Sequence, residues 1–347
     1  MPSGRQFATG VTRPGSFGFP VVTASAGRVA GNASFVPVSR TALLLAITLC
    51  SCLLLPSTSG GVATRVACLS ILLFGLPHGA LDLEIIKRER GPGSLGLSAL
   101  ILLYLGLAGA MAFVWQVAAV AALAIFLVVA IVHFADDWPE LGSTFLAQGT
   151  AIALLTAPAL LHLPELERAF IALSGRGEAA VLANLLLLLA PMSMAVASVA
   201  MGTLWRTGFR DEAIVGALSL VAMIVLPPVI GFACFFCLSH SPRHLRAALA
   251  QTANPDRARW VVPVVTLAAM GIAALLFAAS PRVDLSASLV AASFMTLSLL
   301  TVPHMAVPVI VDAVTRRRSA TRGRMLWTAA GDPGAPATFD HGKAFGG

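Results

Sequence analysis

Apolar residues along this chain come in long blocks, and most charged residues fall in the gaps between them. Nine windows stand out, at about 41–57, 61–78, 97–114, 117–134, 146–163, 179–201, 213–238, 261–279 and 286–311. Most are close to the roughly 20 residues a helix needs to cross the hydrocarbon core of a bilayer. In lipid an apolar segment must satisfy its backbone hydrogen bonds internally, which a helix does. The pattern predicts an all-α fold, a polytopic transmembrane helical bundle over residues 41–315. No soluble domain interrupts it. Residues 1–40 and 316–347 are Gly/Ser/Pro-rich or polar and predict disordered tails. The first lacks the charged-then-apolar pattern of a signal peptide.

Charge refines the number of crossings. Arg5, Arg13, Arg28 and Arg40 place the N-terminus in the cytoplasm by the positive-inside rule. With nine crossings, the loop carrying Arg243, Arg246, Arg257 and Arg259 would fall outside, as would Arg316, Arg317 and Arg318. Removing one crossing between residues 135 and 212 brings both inside. The window 146–163 is short and carries Gly149 and Pro158. It is expected to be re-entrant or to lie along the interface, leaving about eight crossings and both termini cytoplasmic in a cell membrane.

Composition agrees with this class. Of 347 residues, 57% are hydrophobic and 11% charged, against about 25% charged in soluble domains. The net charge is +7, but the basic residues sit in tails and loops, so they form no nucleic-acid surface. Five cysteines, Cys50, Cys52, Cys68, Cys234 and Cys237, fall in apolar windows and read as small buried thiols. The Cys234–Cys237 spacing has no second cysteine pair and reads as helix packing.

The chemistry lies in the histidines. Of seven, His341 is in the tail and His162 reads as an interfacial side chain. His78, His133, His240, His244 and His304 lie at or near window ends. Any one of them alone could be a helix-end residue reaching headgroups. Together they point to a functional interior, because ionisable groups in membrane segments are costly. Eight crossings also put the ends of windows two, four, seven and nine on one side. His240 and His244 share a helix face by spacing, although Pro242 lies between them. Ser241 could cap a new helix there, with Pro242 in its first turn. Asp82 follows His78 by four, and Asp136 and Asp137 follow His133 by three and four. These carboxylates could orient the imidazoles from behind, or simply end the helices. Imidazole suits iron, zinc, copper and nickel.

The segments Phe74-Gly75-Leu76-Pro77-His78-Gly79-Ala80-Leu81-Asp82, His133-Phe134, His240-Ser241-Pro242-Arg243-His244 and Pro303-His304-Met305 resemble the membrane-bound β-carotene 15,15'-dioxygenases of bacteria and archaea, the Brp/Blh family. The resemblance covers about residues 60–315 and omits both tails. It implies an enzyme that uses Fe(II) and O2 to split the central double bond of β-carotene. The product would be two molecules of all-trans-retinal, a supply for a microbial rhodopsin. It implies His78, His133, His240 and His244 as iron ligands, with His304 as a further pocket histidine. The sequence after His133, Ala-Asp-Asp-Trp, departs from the glycine and glutamate expected there. That leaves the roles of Asp136 and Asp137 open.

A membrane enzyme suits such a substrate. At about 0.8 kcal/mol per carbon unit, moving a C40 hydrocarbon into water costs on the order of 30 kcal/mol. Substrate entry from the lipid avoids that cost. Phe74, Phe134, Phe235, Phe236 and Met305 are candidate tunnel walls beside the histidines, or simply core. Other classes fit less well. Membrane di-iron desaturases need about eight histidines and a HxxHH pattern, and this chain has no adjacent histidine pair. A retinal-binding photoreceptor needs a lysine inside the membrane, and Lys87 and Lys343 lie outside the windows. A haem carrier or a metal transporter remains the non-enzymatic alternative.

Overall fold

The computed structural model describes residues 39–54, 61–90, 96–252, 254–279 and 284–329, with 78, 87–90, 255 and 315–329 described by backbone alone. All regular elements among them are helical. They are α1 (Arg40–Leu54), α2 (Gly61–Ser70), α3 (Asp82–Arg90), α4 (Leu97–Val117), α5 (Ala119–Ala135), α6 (Thr144–Ser174), α7 (Ala180–Arg206), α8 (Arg210–Val225), α9 (Pro228–Phe235), α10 (Ser241–Gln251), α11 (Pro255–Ala279) and α12 (Leu285–Ala329). Among the described residues, five helical segments are long and apolar enough to cross a membrane: Leu97–Val117, Thr144–Ser174, Gly177–Arg206, Asp256–Ala279 and Leu285–Val314. Arg40–Leu54, Gly61–Gly75 and Ala119–Ala135 are shorter apolar helices. Large side chains such as Leu102, Leu188, Met192 and Leu275 face outward. An apolar exterior of this extent belongs in lipid, so the chain is a multi-pass membrane protein.

Two windows depart from expectation. The segment 146–163 is not a short interfacial piece but the first part of α6, a 31-residue helix. Gly149 does not break this helix. A Cβ there would come within 2.2 Å of Val196 Cγ1, so the missing side chain is what lets α7 lie close. Thr156 Oγ1 and Ser193 Oγ, 2.8 Å apart, tie the same pair of helices in the interior. Small residues and hydroxyl contacts of this kind are how membrane helices associate. Pro158 is accommodated within the helix, and the kink falls at His162, where φ is −127° and ψ 34°. Gly175, with φ 68°, closes α6 in the left-handed conformation that glycine adopts without strain.

The second departure is 213–238, which is not one straight span. Leu226 and Pro227 are extended, and the chain bends sharply between α8 and α9. Gly231 sits against this bend. A Cβ there would lie 2.8 Å from the Ala222 carbonyl oxygen. The C-terminal tail also differs, since α12 runs on to Ala329, beyond Arg316. Arg, Ala, Met and Leu after that point are good helix formers. The cysteines carry no disulfide among the described residues, and Cys50 is exposed rather than buried.

α12 is the central strut. α2, α4, α5, α6 and α11 all pack on it. Polar clips fix α4 against it: Trp115 Nε1 donates to Ser298 Oγ at 2.7 Å, and Tyr104 Oη donates to the Leu300 carbonyl at 3.2 Å. This packing brings the C-terminal end of α5, the start of α10 and the middle of α12 to one place.

Candidate metal centre

Two π-helical turns build the site. One covers Ile71–Gly75 and the other Phe236–His240. Each is followed two positions later by a proline, Pro77 or Pro242. Proline lacks an N–H and its ring crowds the carbonyl four residues earlier, so the ladder widens by one residue ahead of it. Such π turns recur at functional sites. His240 closes the second turn and stands in the site, and the first turn leads into the short 3-10 turn Leu76–Gly79.

The two turns are fitted to each other. A Cβ on Gly75 would lie 2.3 Å from Phe236 Cε1, so only glycine admits that ring. Phe236 in turn stacks on the His240 imidazole, centroids 5.2 Å apart and planes 14° apart. Ser241 does not cap α10. Its hydroxyl donates to the Phe74 carbonyl at 2.7 Å and stitches one turn to the other. His240 keeps helical backbone angles, so the chain passes through Pro242 as a widened helix and not as a fresh start.

Four imidazoles meet in the interior. The His133 ring centroid lies 4.7 Å from His240, 5.4 Å from His244 and 4.9 Å from His304. His240 and His244 are 4.4 Å apart. His133 Nε2 and His240 Nε2 approach to 3.0 Å. His240 is fully buried, His133 and His304 are buried, and His244 is half-buried.

Carboxylates hold the backs of three of these rings. Asp137 Oδ2 lies 2.8 Å from His240 Nδ1, and Oδ1 lies 2.8 Å from His244 Nε2. Asp82 Oδ2 lies 2.6 Å from His304 Nδ1. An ionised carboxylate only accepts hydrogen bonds, so each of these ring nitrogens is the N–H. The opposite nitrogens, His240 Nε2, His244 Nδ1 and His304 Nε2, then carry lone pairs. This is the carboxylate–histidine arrangement that orients metal ligands. Burial works to raise the Asp137 pKa, but the charges and hydrogen bonds of His240 and His244 outweigh it and hold the carboxyl below its ordinary value. Burial pushes Asp136, in the same turn, up to about 7, against the pull of His244.

These donors fit a divalent cation. Asp137, His240 and His244 alone form a group whose ligand atoms lie within 4.8 Å of one another, and His133 adjoins it. The His133 and His240 Nε2 atoms, 3.0 Å apart, are close enough for one ion to be held by both. Without an ion the same contact is a hydrogen bond from the protonated His133 Nε2 to His240. Asp82 and Asp137 are also buried carboxylates, and a dication held among the imidazoles would compensate buried negative charge. In this arrangement Asp137 is better used behind the histidines than as a ligand, since both of its oxygens already face ring N–H groups.

By spacing along the chain, Asp82 pairs with His78 and Asp137 with His133. The described contacts instead join Asp82 to His304, 222 residues away, and Asp137 to His240 and His244. The His78 side chain lies outside the described residues, as does His341. His162 sits at the kink of α6, and its Nε2 is buried without a hydrogen-bond partner among the described residues. Of the proposed wall residues, Phe134 and Phe235 are buried beside His240 at ring distances of 4.9 and 5.9 Å, whereas Phe74 is turned outward. In the sequence Arg243 counts as a topology charge and as part of the His240–His244 segment, with no role in the site. Its guanidinium donates to the Asp137 carbonyl oxygen and lies over the Trp138 ring, so it fixes the backbone of the Asp137 turn. The sequence signal for that role is its place between His240 and His244.

Residues 69–312 match the model of a family described as beta-carotene 15,15'-dioxygenase. A curated relative from Halobacterium salinarum, named probable beta-carotene 15,15'-dioxygenase Blh, is 29% identical over 326 residues, covering 80% of this chain and 94% of its own length. A second, from an uncultured marine bacterium and named beta-carotene 15,15'-dioxygenase, is 27% identical over 272 residues, covering 72% of this chain and 93% of its own length. No solved structure matches.

Proposed function

Since the chain belongs to the β-carotene 15,15'-dioxygenase family, we propose that it cleaves the central 15,15' double bond of β-carotene with O2 to give two molecules of all-trans-retinal. The observation that carries this reading is the buried histidine cluster backed by carboxylates, inside a membrane-embedded fold of that family. The metal is read as Fe(II), with His78, His133, His240 and His244 as its ligands.

Bound Fe(II) would supply the activation of O2 that carbon–carbon double-bond cleavage needs. The protein's part is positional. Asp137 fixes the tautomers of His240 and His244 so that their other nitrogens point inward, and Arg243 fixes Asp137. Phe134, Phe235 and Phe236 surround His240 with apolar rings, which excludes water from the reacting bond. The overall reaction adds one oxygen atom to each carbon of the broken double bond. It needs no external reductant and no net proton transfer, so the site has no demand for a general acid or base. Retinal released into the same bilayer could then serve a rhodopsin.

The test is expression in a bacterial host that accumulates β-carotene, with chromatography of the extracted pigments. Loss of β-carotene with appearance of retinal is the expected result. Apocarotenals of unequal length would keep the oxygenase and move the cleavage site. Unchanged β-carotene with iron-loaded protein present would overturn the proposed substrate.

A further inference from the structure

A cavity of about 210 Å³ lies between α4, α11 and α12 and reaches one histidine of the cluster, His304. Its inner end is formed by Gly79 and His304, the ring 4.9 Å from His133. Its walls include Leu297 and Ala269, both buried. Its rim is formed by Ile101, Leu105 and Val265, which are 39%, 61% and 41% exposed. No charged side chain lines it. Tyr104 does, but its hydroxyl is turned to the Leu300 carbonyl. From His304 to Leu297 is seven residues of α12, about 10 Å of helix. The space is thus an apolar slot running from the outer face, which is in lipid, to the cluster. A second cavity, of about 70 Å³ between α5, α6, α9 and α12, has Phe134 and Phe232 in its wall and no histidine.

We propose that the slot between α4 and α11 is the lateral entrance of the enzyme, admitting one arm of an unsubstituted polyene hydrocarbon from the bilayer and setting its central bond beside His304. This rests on the functional reading above and adds the path and the residues that define it. A rigid, linear, apolar molecule needs an opening toward lipid, a largely apolar wall without charge and an inner end at the histidine cluster. The slot has all three, with Thr301 and Tyr104 as its polar lining residues besides His304. Burying a carbon chain there exchanges lipid contacts for protein contacts, so entry carries no large desolvation cost.

The test reads binding separately from turnover. Iron-loaded protein in nanodiscs is equilibrated with β-carotene in the absence of O2, and retained pigment is measured by its visible absorbance. Ala269→Phe narrows the slot inside, and Leu105→Trp covers its rim at an exposed position where folding is not at stake. Leu102→Trp, on the same helix but outside the slot, is the control. Both slot variants should retain about tenfold less carotene, about 1.4 kcal/mol in affinity, with iron content unchanged. Leu102→Trp should match the unaltered protein. Full retention by both slot variants would overturn the entrance, as would an equal loss in Leu102→Trp. Slot-dependent retention without cleavage after O2 is admitted would keep the entrance and sink the enzymatic reading. Cleavage that is indifferent to the slot variants would do the reverse.

Discussion

At the residue scale the arrangement turns on Asp137. One carboxylate serves two histidines, each through an N–H, and its own backbone is held by Arg243. Asn at 137 keeps the size but has one acceptor oxygen and one donor amide. One imidazole would then meet a donor with its N–H and have to change tautomer. Asp137→Asn is therefore expected to lower iron affinity by about 10–100-fold, the usual effect of losing such a partner, while membrane insertion is kept. Metal content of the purified protein by elemental analysis checks this, and an unchanged iron stoichiometry would remove Asp137 from the centre. Replacing His133, His240 or His244 with Ala is expected to abolish both bound iron and cleavage. His162→Ala, at the α6 kink, is expected to leave iron content as it was. Normal activity in His133→Ala would contradict the ligand set.

At the scale of elements the two π turns matter most. The widened ladder ahead of Pro242 rotates His240 relative to the helix before it. Pro242→Ala restores the N–H and removes the crowding, so the turn can relax to a regular α-helix and His240 leaves its place against Asp137. The expected outcome is a folded protein with much reduced iron binding. Gly75 offers a sharper probe. A methyl group there must displace Phe236, at about 1–3 kcal/mol for overpacking, and with it the ring that stacks on His240. Gly75→Ala should lower thermal stability and activity together. Adding Phe236→Leu, which makes room, should recover part of both. If the double variant is as impaired as the single one, the Gly75–Phe236 fit is not what positions His240.

At the scale of the molecule, the cluster joins α5, α10 and α12, which are far apart in the chain. An ion held between His133 on α5 and His240 and His244 at the start of α10 binds the folded state and not the unfolded one. At a free metal concentration one hundred times Kd this linkage contributes about 2.7 kcal/mol. Chelation should therefore lower the thermal midpoint in a fixed detergent, and restoring Fe(II) should recover it. An unchanged midpoint between loaded and chelated protein would mean that no ion bridges these helices.

Apolar patterning alone establishes that the chain is helical and lies in the membrane. Long apolar blocks leave the backbone no other way to satisfy its hydrogen bonds in lipid. It also determined which residues could carry chemistry, because a histidine in such a block stands out against its surroundings. What the sequence did not determine was how those residues are partnered. An all-apolar window looks the same whether it crosses straight, as α6 does apart from its kink, or turns back at Leu226-Pro227. Gly149 reads as a break in the sequence and is a packing contact in the fold. The local spacing offered Asp82 to His78 and Asp137 to His133, yet the tertiary structure gave Asp82 to His304 and Asp137 to the His240–His244 pair. The physical reason is that a hydrogen bond depends on distance in space. In a bundle, neighbours in space are set by which small residues let helices approach and by where prolines widen the ladder. Both are decided only when all the helices are packed together.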